Sequence, residues 1–188
     1  MASSQAGDDR SGSGSSSNNN SPEATIRRTA HVQALLERLL QGSPIYGLIL
    51  PTIRLESASH DGLVVTSLTL TPTHVNSKGG LHGAVSATII DFTTGLAIAA
   101  TDLRETTGAS VDMHISYLST ARVGDRVRVE TRAERVGGSL AFVTVRIVKV
   151  DDDAAEGREV VVTMGQHTKY VRGTAPPQLP PPTPMMGN

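Results

Sequence analysis

Ala84-Val85-Ser86-Ala87-Thr88-Ile89-Ile90-Asp91-Phe92-Thr93-Thr94-Gly95-Leu96-Ala97-Ile98-Ala99-Ala100 is the stretch that decides the fold. Apolar residues fall on every side at helical spacing. Only Ser86, Thr88, Asp91, Thr93 and Thr94 interrupt them, and they gather on no polar face. The run is too long for a strand and too apolar for a helix with one wet side, so it predicts a central buried helix. A single helix that is apolar all round needs a curved sheet to enclose it.

The flanking sequence supplies that sheet. After the helix come only strand patterns, over 107–118, 126–136, 140–150 and 158–171. Gly124-Asp125, Gly137-Gly138 and residues 151–157 separate the four. Val127, Val129, Thr131 and Ala133 alternate with Arg126, Arg128, Glu130 and Arg132, the pattern of a half-exposed antiparallel strand. Before the helix, residues 49–58 and 63–70 read as two strands around the turn Ser59-His60-Asp61-Gly62, followed by a loop over 71–81. An earlier helix starts at Ser21-Pro22-Glu23, a Ser cap with Pro at the first position and an acid in the first turn. Ile26, Leu35, Leu36, Leu39 and Leu40 form its apolar side, and Gly42 with Pro44 ends it. Six antiparallel strands wrapped around one long helix make an α+β fold of the hotdog kind.

The ends differ from the middle. Residues 1–21 are mostly Ser, Gly, Asn and Gln, and read as disordered; they hold no apolar core of a secretory signal. Residues 174–188 hold six of the ten prolines and read as an extended tail. Residues 22–173 form the one domain. Net charge is −1, so no global basic field exists for nucleic acid or an anionic membrane. Five aromatic residues leave little material for base stacking. The chain has no cysteine, which excludes disulfides, a thiolate nucleophile and cysteine-ligated zinc. The apolar runs read as too short to span a bilayer. Cytoplasmic placement is expected, with the mitochondrion as alternative because of Arg27-Arg28.

Two features carry chemistry. Asn76-Ser77-Lys78-Gly79-Gly80-Leu81-His82-Gly83 leads straight into the helix N-terminus, where unpaired N–H groups and the positive dipole end suit an oxyanion. Gly83 would let a ligand approach the backbone closely. Asp91, the only charge in the apolar helix, is expected to have its pKa raised by burial, toward the range of a useful base. It lies eight residues past Gly83, about 12 Å along a regular helix. One chain therefore cannot bring both to one carbonyl, and two chains related by a two-fold axis can. Among six histidines, none forms a metal-spaced pair and only His82 has a suggestive setting.

Asn76 to Ala84, Asp91, then Gly108-Ala109-Ser110-Val111-Asp112-Met113 and Ile115-Ser116-Tyr117 resemble the hotdog-fold acyl-CoA thioesterases. The branch is that of acyl-coenzyme A thioesterase 13 (thioesterase superfamily member 2) and the PaaI type. Ser139-Leu140-Ala141-Phe142 and Gly165-Gln166-His167-Thr168-Lys169 agree with it. The resemblance implies hydrolysis of an acyl-CoA to free acid and CoA, with no metal or organic cofactor. It assigns Asn76 and the Gly83 N–H to the thioester carbonyl and His82 to ordering their loop. Asp91 of the partner chain becomes general base or nucleophile, and Ser110 orients the water. It also implies a homodimer assembling to a homotetramer. Ala84 departs from the second glycine that many relatives carry. Two other functions fit the same fold: an acyl-thioester hydratase or dehydratase, which needs a histidine beside the substrate's α and β carbons, and a non-catalytic acyl-CoA binding protein.

Overall fold

The structure, a computed structural model, describes residues 21–150 and 159–176. The readings made for 1–20, 151–158 and 177–188 lie outside the described residues.

Helix α1 (Pro22–Gly42) begins where Ser21 accepts the Ala24 N–H at 3.2 Å, a side-chain cap on one of the helix's orphan donors. Arg28, Val32, Leu35 and Leu36 form its buried stripe. Ile26, expected on that stripe, is instead 71 % exposed. A short helix, α2 (Pro44–Ile49), follows at once. Strand β1 (Arg54–Ala58) therefore starts later than the alternation suggested: the first residues of the expected strand close α2 and a turn, in which Ile53 N–H reaches Leu50 O. Strand β2 (Leu63–Thr69), a 3₁₀ turn (Pro72–His74) and helix α3 (Gly83–Asp102) come next. Then come β3 (Ala109–Tyr117), β4 (Arg126–Val136), β5 (Leu140–Val150) and β6 (Glu159–Tyr170).

All six strands join one antiparallel sheet in the order β1-β2-β4-β5-β6-β3. The hotdog expectation is met: the sheet wraps α3, whose residues from Phe92 to Ala100 are all buried. Val127, Val129, Val143, Val145 and Ile147 face it from β4 and β5. The hydroxyls of α3 cost little to bury, because Thr93 and Thr94 donate to the carbonyls of Ile89 and Ile90 at 2.9 and 2.7 Å. By length and composition α3 is long and apolar enough to cross a membrane, which corrects the reading that no run is. Its apolar faces are instead covered by the sheet and by α1.

The C-terminal end of α3 shows how α1 helps. Arg28 is buried and donates to the carbonyls of Ala100 and Thr101, two of the acceptors a helix leaves unpaired at its end. Both edges of the domain reach slightly beyond 22–173: Ser21 caps α1, and Thr174 accepts from the buried Arg104 at 2.6 Å while donating to Val171 O.

Close approach to α3 leaves room for no side chain at Gly95. A Cβ there would sit 2.6 Å from the Cβ of Thr107. Gly95→Val is thus expected to destabilise the fold by roughly 1–3 kcal/mol, the range for overpacking, with a matching fall in urea midpoint. Wild-type stability in that variant would show that the 103–108 segment yields freely.

Candidate active site

The loop before α3 is a closed turn built by Asn76. Its Oδ1 accepts the N–H groups of Lys78 (2.9 Å) and Gly80 (3.3 Å), and its backbone N–H reaches Gly80 O at 2.8 Å. With Oδ1 used in this way, the Asn76 Nδ2 is the end left to donate to a ligand. His82 is the N-cap of α3: its Nδ1 accepts the Ala84 N–H at 3.0 Å, and its own N–H is fixed on His74 O at 2.9 Å. The imidazole thus consumes the second orphan donor of the helix. The first, the Gly83 N–H, has no protein partner among the described residues. A Cβ at Gly83 would lie 3.1 Å from the hydroxyl oxygen of exposed Tyr117, a tight contact that the tyrosine would have to ease. Asn76, Gly83, Ala84, Tyr117, Ser119 and Thr120 line a cleft of about 440 Å³ at this helix end.

Asp91 and Ser110 do not line that cleft. They form a second cluster two turns further along α3. Three donors converge on the Asp91 carboxylate: Tyr46 Oη to Oδ2 at 2.7 Å, Lys169 Nζ to Oδ1 at 3.0 Å and Ser110 Oγ to Oδ1 at 3.1 Å. Burial pushes the carboxyl's pKa up. The Tyr46 hydrogen bond, the charge and hydrogen bond of Lys169 and the Ser110 hydroxyl outweigh it, and the net shift is below 3.8. The expectation of a raised pKa is therefore corrected: the helix supplies a low-dielectric site, but three other elements supply donors. Tyr46 is shifted up by burial and by the same carboxylate, so it remains a phenol donor.

His167 lies under this cluster, fully buried, with Nε2 4.0 Å from Asp91 Oδ1. Thr94 spends its only hydroxyl proton on Ile90 O, so the Thr94–His167 contact at 3.1 Å takes its proton from His167 Nδ1. Nε2 is then a bare lone pair without a partner among the described residues. Burial and the Lys169 charge lower the His167 pKa to about 4, against the opposing pull of Asp91 and Asp112.

Ser110 faces α3 because of a bulge. In β3 the pairing runs Ser110↔Lys169, then Asp112↔Thr168, with Val111 left over. In a regular strand Ser110 and Asp112 would share a face. The extra residue reverses this, so Ser110 pairs beside inward-facing Lys169 and reaches Asp91, while Asp112 pairs beside Thr168.

Of the residues expected in the site, Asn76, His82 and Gly83 come together at the N-terminal end of α3, and Asp91 with Ser110 two turns further along it. Tyr46, Lys169 and His167 were missed. Lys169, 4 % exposed, was visible only as a cation at a strand position that alternation turns inward. Tyr46 gave no signal, because its helix was read as a stop.

Comparison with known proteins agrees with this architecture. Residues 78–156 match the family model of the thioesterase superfamily. The chain is 32 % identical to Homo sapiens acyl-coenzyme A thioesterase 13 over 123 residues, 65 % of this chain and 82 % of that one. The crystal structure of zebra fish thioesterase superfamily member 2 superposes with a TM-score of 0.62 at 30 % identity, covering 74 % of this chain and 94 % of that one. A hypothetical thioesterase protein of Streptococcus pneumoniae, crystallised with coenzyme A, shares the fold at 22 % identity, with a TM-score of 0.57 and coverage of 68 % and 94 %.

The buried groups set two windows of acid instability. An unfolded imidazole takes a proton below about 6.5, while folded His167 stays neutral down to about 4, so the unfolded state binds more protons between these values. Stability is expected to fall by up to about 3 kcal/mol as pH drops through this window. Below it, protonation of Asp91 removes a further contribution, since a lowered carboxylate pKa stabilises only while the group is ionised. Urea unfolding at a series of pH values checks this. His167→Asn should abolish the upper window and leave the lower one.

Proposed function

The chain belongs to the thioesterase superfamily, and we propose that it is an acyl-CoA thioesterase, hydrolysing the thioester of an acyl-CoA to a free acid and CoA. The observation that carries this reading is the pair of half-sites along α3: an unpaired Gly83 N–H beside the free amide of Asn76, and an ionised carboxylate held by three donors. The first suits a thioester carbonyl oxygen that gains negative charge, an effect worth about 3 kcal/mol per donor. The second suits attack. Acting as general base, Asp91 takes a proton from water as the water oxygen bonds to the carbonyl carbon. The C–S bond then breaks, and the proton passes to the departing CoA thiolate. Acting as nucleophile, an Asp91 oxygen bonds to the carbonyl carbon, the C–S bond breaks and CoA leaves as the thiolate, which takes a proton from solvent. Water then cleaves the mixed anhydride to the free acid and restores the carboxylate. In either case Ser110 orients the attacking partner, and His82 keeps the Gly83 donor in place by capping the next one.

We infer that each complete site is shared by two chains. Strand β3 is an edge strand, and it touches both half-sites: Ser110 near its start reaches Asp91, and Tyr117 at its end donates to Gly83 O at 3.3 Å. Antiparallel pairing of β3 with β3 of a second copy would set the Asp91 end of one chain opposite the Gly83 end of the other. It would also cover an exposed edge that carries Val111, 59 % exposed. A tetramer of two such dimers would use the outer sheet face, where Leu140, Phe142, Met164 and Tyr170 are exposed. The cytoplasm is the proposed location. Arg28 serves the fold as a helix cap, so the basic pair offers no more than Arg27 as a free charge for a mitochondrial signal.

Thiol release from medium- and long-chain acyl-CoAs tests the activity. Asp91→Asn and Asn76→Ala are each expected to lose at least 100-fold in kcat, the order of a general-base or oxyanion contribution. Mixing the two inactive chains tests sharing. After subunit exchange about half of the dimers are mixed, each with one site carrying both lesions and one carrying neither, so about a quarter of all sites should recover. Verified exchange with no recovered activity would place both residues in one chain's site.

A further inference from the structure

The Asp91 carboxylate can accept about four hydrogen bonds, two at each oxygen. Lys169 and Ser110 fill both places on Oδ1, and Tyr46 fills one on Oδ2. The remaining lone pair, the one free to take a proton or to attack, is therefore on Oδ2, the oxygen that Tyr46 holds. The Tyr46 ring is itself fixed. It is half-buried and packs edge-on against Phe92, one residue after Asp91, with ring centroids 5.0 Å apart and planes at 74°. Its backbone is set by α2, whose end is tied to the active-site loop. There His74 Nε2 donates to Ile49 O at 2.7 Å while His74 Nδ1 accepts the Thr71 N–H at 2.9 Å.

We propose that Tyr46 is a positioning residue for the thioesterase reaction, its hydroxyl aiming the one reactive lone pair of Asp91. The inference rests on the reading of Asp91 as the attacking group. The hydroxyl also holds Oδ2 against rotation about the Cβ–Cγ bond, which Lys169 and Ser110, both on Oδ1, do not prevent alone. Without the hydroxyl the two oxygens can trade places, and the free lone pair is no longer presented in one direction. The other groups facing this carboxylate are Ser110 from β3 and His167 and Lys169 from β6, with Asp112 of β3 acting on His167 through space. Tyr46 is the only donor among them on Oδ2.

Tyr46→Phe tests this, because it keeps the ring against Phe92 and removes only the hydroxyl. The expected result is a fall in kcat of about tenfold, the order for loss of a hydrogen bond to a charged group, with KM within twofold of wild type. The acid limb of the kcat profile should move to higher pH, since Asp91 loses a donor that favours its ionised form. A residue that merely supports the fold would move neither the limb nor the split between kcat and KM. Wild-type kcat with an unmoved limb, or a loss confined to KM, would overturn the proposal. Carboxylate NMR of ¹³C-Asp-labelled protein, with Asp91→Asn to assign the signal, gives a readout without turnover. An Asp91 titration that does not rise in Tyr46→Phe overturns the tether. If the titration does rise in Tyr46→Phe while the wild-type protein releases no thiol from any acyl-CoA, the tether stands and the thioesterase reading fails.

Discussion

Helix α3 has no face it can leave to water, so every other element is placed by the need to cover it. Four strands supply the concave wall, α1 closes one end, and α2 with β3 closes the side where Asp91 emerges. Enclosure on this scale also fixes the ends of the helix. At the C-terminal end, Arg28 meets the carbonyls of Ala100 and Thr101. The N-terminal donors are met by His82 and the helix's own first turn, apart from the Gly83 N–H at the mouth of a cleft. The unpaired donor is thus a local exception in a helix whose other polar groups are accounted for, which is why it reads as a site.

The same enclosure makes Asp91 expensive, and the fold answers with donors instead of neutralisation. A half-buried carboxylate with no partner would hold its proton. Here the cation on β6 and hydroxyls from α2 and β3 reverse that outcome. Lys169 faces the matching problem, since its ammonium is buried and Asp91 is its counter-charge. Each charge is tolerated because of the other, and the neighbouring His167 stays neutral because it is buried and because Lys169 already supplies a positive charge there. An ionised acid, a buried ammonium and an uncharged imidazole are therefore one electrostatic arrangement.

Much of this architecture was legible in the residues. Strands β4 and β5 matched the sequence reading at both bounds, because each alternates over most of its length and the glycine turn at 137–138 sets them apart. The start of α1 was equally plain from Ser21 and Pro22. Residues 44–53 were not, since Ile45-Tyr46-Gly47-Leu48-Ile49-Leu50 is short and apolar throughout and suits a strand or one helical turn equally. Losing α2 meant losing Tyr46. The direction of the Asp91 shift failed for a related reason. Burial can be inferred from the composition of one helix, whereas the donors come from residues 46, 110 and 169, which only the fold brings together.

Strand β3 shows how a one-residue irregularity links these levels. Its inward positions Met113, Ile115 and Tyr117 follow a period of two, and that period would send Ser110 to the outer face with Asp112. The bulge at Val111 breaks the period once, at the height of Asp91. A regular strand could serve the Gly83 end through Tyr117 or the Asp91 end through Ser110, but its alternation does not allow both. With the bulge, one edge strand contacts both half-sites on the same face of the sheet. It does so while its outer edge stays unpaired among the described residues. The edge strand proposed to pair across a two-fold axis is thus the one that already carries a residue for each half-site along α3.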